Sequence, residues 1–327
     1  MYQIWDCFIV FLRYLPLKFS LHSKTNTIFW AVIACLLWST AYPGIKFGLQ
    51  YDEPFHFSGI RFIISGLLIL PFAVKQSAYL KMVKEHWKLI FVVAFLQTFI
   101  NYSLFYHGLD LAPGAIGAVV VGSQPLITAI VASFFHSDER FTSRKIITIV
   151  CGLLGVILIS AGRQAFNFGD AAELLGVGML LFANTALSVS NVIISFKSKG
   201  LNPMVLSSSS LFLGGVMLFL VSLPVEGVPN NFRPMEYWLV LIWLSIMAAV
   251  AFSIWFILLQ RPGVKVSELN LLKFIVPVVG AILSWTLLPD ENPEWITVSG
   301  ILIIITSLIL FHLDSGKPVD IKTDSKL

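Results

Sequence analysis

Charge is what this 327-residue chain has least of: Asp, Glu, Lys and Arg together make up 12% of it, against about 25% in a soluble domain. With 57% hydrophobic residues, the charge-free stretches reach the roughly 20 residues that cross a bilayer core about 30 Å thick, and a water-soluble fold is excluded. Transmembrane strands need only about 10 residues of alternating polarity, so the length of these runs excludes a β-barrel as well. Cysteine is scarce: Cys7, Cys35 and Cys151 match neither a disulfide framework nor a metal spacing, and no metal or cofactor is expected. Gly-x-x-x-x-Gly-Lys-[Ser/Thr], His-Glu-x-x-His and Gly-x-Ser-x-Gly are all missing, and the six His are scattered, which argues against P-loop ATP hydrolysis and against a catalytic constellation. Acidic residues avoid the interior of every apolar run, Glu268 coming closest, so a carboxylate proton relay within the spans is not expected.

What is present is a series of ten apolar windows, near 27–49, 56–74, 89–109, 112–135, 145–162, 174–195, 203–223, 237–259, 266–288 and 295–313. Short loops such as Tyr51-Asp52-Glu53-Pro54 and Arg261-Pro262-Gly263 separate them. The expected fold is an all-α polytopic membrane protein. If the N-terminus is cytoplasmic, 17 of the 22 Lys and Arg fall in inner segments and only Arg163 and Arg233 in outer loops, so both termini are expected inside a cell (inner or plasma) membrane. Residues 1–25 read as an extension, either unstructured or an interfacial helix, and 314–327 as a polar cytoplasmic tail.

Comparison of the two halves gives an internal repeat. Pro71, Trp87, Pro125 and Asp138-Glu139 recur as Pro224, Trp238, Pro277 and Asp290-Glu291, at offsets of 153, 151, 152 and 152. Five spans per unit is an odd number, so the second unit (172–313) is inverted relative to the first (26–163), with a pseudo-two-fold axis in the membrane plane. Such repeats suit alternating access.

Ionisable groups inside spans are costly, and there are three, all cationic: Lys46, Arg61 and Lys273. Lys273 lies four residues before the mid-span Pro277 and is a candidate for substrate binding, whereas Lys46 and Arg61 are candidates for gating or structural charges. Polar and aromatic residues concentrate near mid-span: Trp38, Gln97, Asn101, Gln124 and Asn184. Helical spacing puts Trp38, Tyr42 and Lys46 on one face, and Asn184, Ser188 and Asn191 on another. These faces line a cavity or bond neighbouring helices. The small residues Ala118, Gly122, Ala129, Gly152 and Gly155 mark close packing.

These marks in their order carry a family resemblance. They are Trp38-Ser39-Thr40 with Lys46, Arg61-Phe62, Asn101-Tyr102, Leu111-Ala112, Pro125 and Glu139, then Pro277, Glu291 and Gly300. The chain resembles the drug/metabolite transporter superfamily, in its EamA-like branch, over residues 26 to 313. The resemblance implies a ten-helix carrier, usually an exporter of amino acids, metabolites or drugs, with a central cavity lined by spans one, three, four, six, eight and nine. The expected partners are a small-molecule substrate and the lipid bilayer, with no nucleic acid; the oligomeric state is open. A passive channel-like facilitator is the alternative, and a membrane enzyme or non-transporting partner protein comes behind both.

Overall fold

The computed structural model describes residues 24–112, 114–135, 139, 141–161, 171–227, 232–287 and 294–313. Of the N-terminal extension only residues 24 and 25 are described, in the first helix; its other residues and the polar tail lie outside the described residues. Among the described residues there is no strand. Nine helical stretches among the described residues are long and apolar enough to cross a membrane: α1 (Asn26–Gly48), α2 (Pro54–Phe72), α3 (Trp87–Leu111), α4 (Gly117–Phe135), α5 (Ser143–Ala161), α6 (Ala171–Lys197), α7 (Pro203–Val225), α8 (Met235–Leu259) and α9 (Val266–Leu283). A shorter apolar helix, α10 (Trp295–Phe311), follows. Start signals are local: Pro54 and Pro203 open α2 and α7 where a missing N–H costs nothing, and Asn202 accepts from the Met204 amide at 2.8 Å. Beyond α8, Gly263 takes φ 77°, a left-handed turn that other residues adopt at a cost.

The packing partners exchange when each helix is replaced by the one five places on. α2 packs on α7, α5 on α10 and α4 on α9; α3 packs on α6 and α7 as α8 packs on α1 and α2; α6 packs on α4 as α1 packs on α9. This is the contact pattern of two inverted five-helix repeats. At the α2–α7 crossing the backbones nearly touch: a Cβ added to Gly59 would stand 2.7 Å from the Phe219 amide nitrogen, and one on Gly215 would stand 2.6 Å from that of Ile63. Gly155 and Gly300 do the same for α5 and α10, and Gly122 faces Val156. The charge-poor α8 is the most enclosed span and carries the buried Trp255 and Tyr237 into the main core, while α4, α5, α9 and α10 share a smaller one.

Four spans are interrupted. α1 breaks at Thr40, between helices Lys24–Ser39 and Ala41–Gly48; α4 breaks at Ser123, before Gln124–Phe135; α9 tightens to a 3-10 turn over Leu272–Phe274; α3 widens to a π-helix over Ala94–Ile100. Proline explains three of these, because Pro43, Pro125 and Pro277 each lack the N–H that would bond the carbonyl four residues back, and the ring crowds that carbonyl. Pro125 releases the Val121 carbonyl, and the Asn184 amide donates to the carbonyls of Val120 (2.6 Å) and Val121 (3.4 Å). The α1 break also changes a sequence expectation. Trp38 and Lys46 fall on the two sides of the break, Trp38 half-buried in Lys24–Ser39 and Lys46 exposed at the end of Ala41–Gly48.

Candidate functional site

The interruptions in α1 and α9 meet at an aromatic cluster. Lys273 in the 3-10 turn places Nζ 5.3 Å from the Trp38 ring and 4.7 Å from the Trp255 ring. The two indoles are 5.1 Å apart, and Trp38 lies 5.5 Å from Phe252. From Phe252 the rings continue to Phe62 at 6.2 Å, and from Phe62 to Tyr102 at 4.4 Å. Arg61 closes the far end, its guanidinium 4.3 Å from the Phe62 ring and 5.4 Å from that of Tyr102. It is only 2% exposed, yet its Nε and Nη1 find no hydrogen-bond partner and it forms no ion pair among the described residues. Each ring face returns about 0.5–2 kcal/mol to a cation. Burying an uncompensated ion costs several.

The polar residues of α4, α6 and α9 form a second, adjoining set. The Gln124 amide donates to Thr128 Oγ1 (2.9 Å) and to Asn270 Oδ1 (3.2 Å), Thr128 shares a hydrogen bond with Ser188 (2.8 Å), and the Asn191 amide donates to Asn270 Oδ1 (3.2 Å). Gln97, within the π-helix, accepts from Ser190 at 2.9 Å, and Asn101 is buried one turn further along. Asn184, Ser188 and Asn191 thus share a face, as their spacing requires, and that face is bonded to α4 and α9. Tyr42 lies on the backbone of α1, and its side chain is outside the described residues. Asn270, Phe252 and Trp255 escaped the sequence reading. Asn270 lies one turn before Lys273 and was within reach of the same argument, whereas nothing in the α8 sequence separates Trp255 from lipid-facing aromatics.

Sequence reading also missed two clusters at opposite ends of the bundle. Asp52, in the loop before α2, is 8% exposed and accepts from His56 Nδ1 (2.9 Å), Arg233 Nη2 (2.9 Å) and the Tyr237 hydroxyl (2.5 Å). Glu226 beside it accepts from the amides of Phe55 (2.7 Å) and His56 (2.8 Å), capping α2. Burial pushes the Glu226 carboxyl up from its ordinary 4.5, against the pull of those two amides. At the other end Glu139, 3% exposed, accepts from the Val266 amide (2.6 Å) and the Ser267 hydroxyl, and Lys145 lies 3.6 Å away while donating to Ser267 at 2.6 Å. Loop carboxylates are therefore buried at both ends, although none enters a span, and Lys145 is a buried partner of Glu139 and not a solvated loop cation. His107 is tethered, its Nδ1 3.0 Å from the Ser103 carbonyl and its ring 4.8 Å from Phe55.

In the aromatic cluster Trp255 and Phe252 are buried, and Trp38 and Lys273 are half-buried. A cavity of about 730 Å³ lies between α5 and α10 at Arg144, Cys151, Leu302 and Phe311. The arrangement gathers cations, rings and amides where helices of both repeats meet.

An inverted-repeat helical bundle with a polar and aromatic midplane and buried charges at each end defines a class, the polytopic membrane transporters. The EamA-like transporter family model matches residues 25–161 and 174–313, and the chain belongs to that family. It is similar to the uncharacterized transporter YoaV of Bacillus subtilis (strain 168), with 24% identity over 269 residues, 82% of this chain and 90% of that one. It is 25% identical over 314 residues to an S-adenosylmethionine uptake transporter of Rickettsia prowazekii (strain Madrid E), covering 94% of this chain and 99% of that one. A solved crystal structure shares the fold, with a TM-score of 0.76 at 20% identity, over 89% of this chain and 98% of its own.

Proposed function

We propose that this membrane transporter is a secondary carrier that exports a small polar or amphipathic metabolite, an amino acid or related compound, by rocking one repeat against the other. The observation that carries this reading is the cluster of Trp38, Phe252, Trp255 and Lys273, where helices of both repeats converge and two of them are interrupted. Interrupted helices at the midplane are how carriers expose backbone and side-chain groups to a substrate. Lys273 contributes a cation there, Gln97, Gln124, Ser188 and Asn191 exchange their helix-to-helix hydrogen bonds for substrate contacts as the repeats move, and Asn101 turns its buried amide to the substrate. The excess of Lys and Arg in alternate loops supports a cell-membrane location with both termini cytoplasmic. Uptake is the direction named for the Rickettsia relative, so direction is part of the test.

A metabolite-release screen of cells with and without the protein, followed by flux in proteoliposomes with and without a pH gradient, identifies the substrate, direction and coupling. Trp38→Ala and Lys273→Gln are expected to lower flux by roughly tenfold, the worth of one charged hydrogen bond or a lost aromatic contact, with expression and melting near wild type. Wild-type flux in both variants sinks the proposed site.

A further inference from the structure

Arg61 differs from Lys273 in one chemical respect. A buried lysine can shed its proton and become neutral, whereas an arginine side chain stays charged in any protein environment. Arg61 is nevertheless held 2% exposed, with no carboxylate paired to it and with Nε and Nη1 unbonded among the described residues. One further donor on the facing helix α3, the hydroxyl of Tyr106, whose ring stands 6.2 Å from that of Tyr102, is also buried without a partner among the described residues. Desolvated donors of one sign gathered at one place, with a planar fork among them, match the oxygens of a carboxylate or phosphate, which the fork receives with two parallel hydrogen bonds. The ring strip from Tyr102 through Phe62 and Phe252 to Trp38 begins at the guanidinium and ends at Lys273.

We propose that Arg61 is the seat of an anionic group on the transported molecule, so that the ligand is an organic anion whose unsaturated body lies along that strip. This deepens the carrier reading above and rests on it. It moves Arg61 from a structural or gating charge to a binding residue. It also accounts for the absence of an acidic partner, since a resident carboxylate would compete with the ligand for the fork.

Calorimetric titration of the full-length protein in lipid nanodiscs tests this with three probes of one body: phenylacetate, phenyl phosphate and the neutral phenylacetamide. One or both anions should bind, which separates carboxylate from phosphate, and the amide should bind at least tenfold more weakly. Arg61→Gln should remove that preference, and Arg61→Lys should keep part of it, since an ammonium supplies the charge without the planar fork. Equal affinity for acid and amide, wild-type affinity in Arg61→Gln, or no binding of either anion at millimolar concentration would overturn the proposal. If Arg61→Gln fails to fold, the acid-against-amide comparison on the wild-type protein and on Arg61→Lys still decides. The readout is binding, so a protein that prefers the anions through Arg61 yet moves nothing across a liposome refutes the carrier alone.

Discussion

At Glu226 burial and hydrogen bonding pull in opposite directions, and burial wins, leaving the carboxyl protonated over a wider range than an exposed glutamate. A carboxyl whose folded pKa is raised binds more protons folded than unfolded, so its contribution to stability is complete below its ordinary 4.5 and is lost as pH rises through the raised value. Glu226→Gln keeps an acceptor for the Phe55 and His56 amides without the charge. Melting temperatures of the two proteins should therefore diverge between pH 4.5 and neutrality, with the wild type losing stability relative to the variant as pH rises. Parallel melting curves across that range would show that Glu226 is solvated. The same residue scale shows where sequence reading stops. Trp38, Asn184 and Lys273 stood out because polar or charged groups at mid-span are expensive wherever the helices lie. Asp52, Glu139 and Lys145 did not, because a loop position says nothing of burial until a partner is known, and the partner of Asp52, Arg233, is 181 residues away.

At the scale of helices, the windows read from hydropathy agree with the helix bounds to within about three residues, with Gly114–Gly122 opening the fourth and Ile275–Leu287 closing the ninth. Existence and length follow from composition; the internal breaks do not. Pro43, Pro125 and Pro277 mark three of them, but the π-helix around Gln97 has no proline and no other local mark. Small residues were legible as packing seams in α4 and α5, whereas Gly59 and Gly215 gave no such pattern alone, since each is read only against the opposite helix. A Cβ on Gly215 meets backbone that cannot yield, so Gly215→Ala should force α2 and α7 apart and cost about 1–3 kcal/mol by denaturant unfolding. Gly178→Ala in α6 meets nothing within 4 Å and should be neutral or stabilising by up to about 1 kcal/mol. Equal effects would mean that the α2–α7 crossing is looser than its geometry.

For the molecule as a whole, an odd number of spans per repeat and the distribution of cations lead to one topology. Cysteines introduced at Lys81, Lys199 and Lys265, all exposed, should resist impermeant thiol reagents in intact cells, while one at Glu53 should react. Glu53 serves better than its neighbour Asp52, whose burial would mimic protection. Reaction at Lys199 with protection at Glu53 would invert the orientation. The repeat itself was visible in four landmarks, yet its chemistry is not symmetric. The helices that exchange under the pseudo-two-fold carry rings and a cation on one side, at Trp38, Phe252 and Lys273, and amides on the other, at Asn191, Gln97 and Gln124. Duplication preserved how the backbone crosses and left the lining free to diverge.

The contact of Lys273 with two indoles also has an optical side. Trp38 and Trp255 hold the Lys273 ammonium over their faces, while Trp87, Trp238, Trp243 and Trp295 are exposed on the outer surface of the bundle. Emission from the central pair is therefore tied to the position of Nζ, and phenylalanine at the four peripheral sites would strip away much of the background. The protein then carries its own fluorophore at the place where occupancy would be felt, and needs no attached dye.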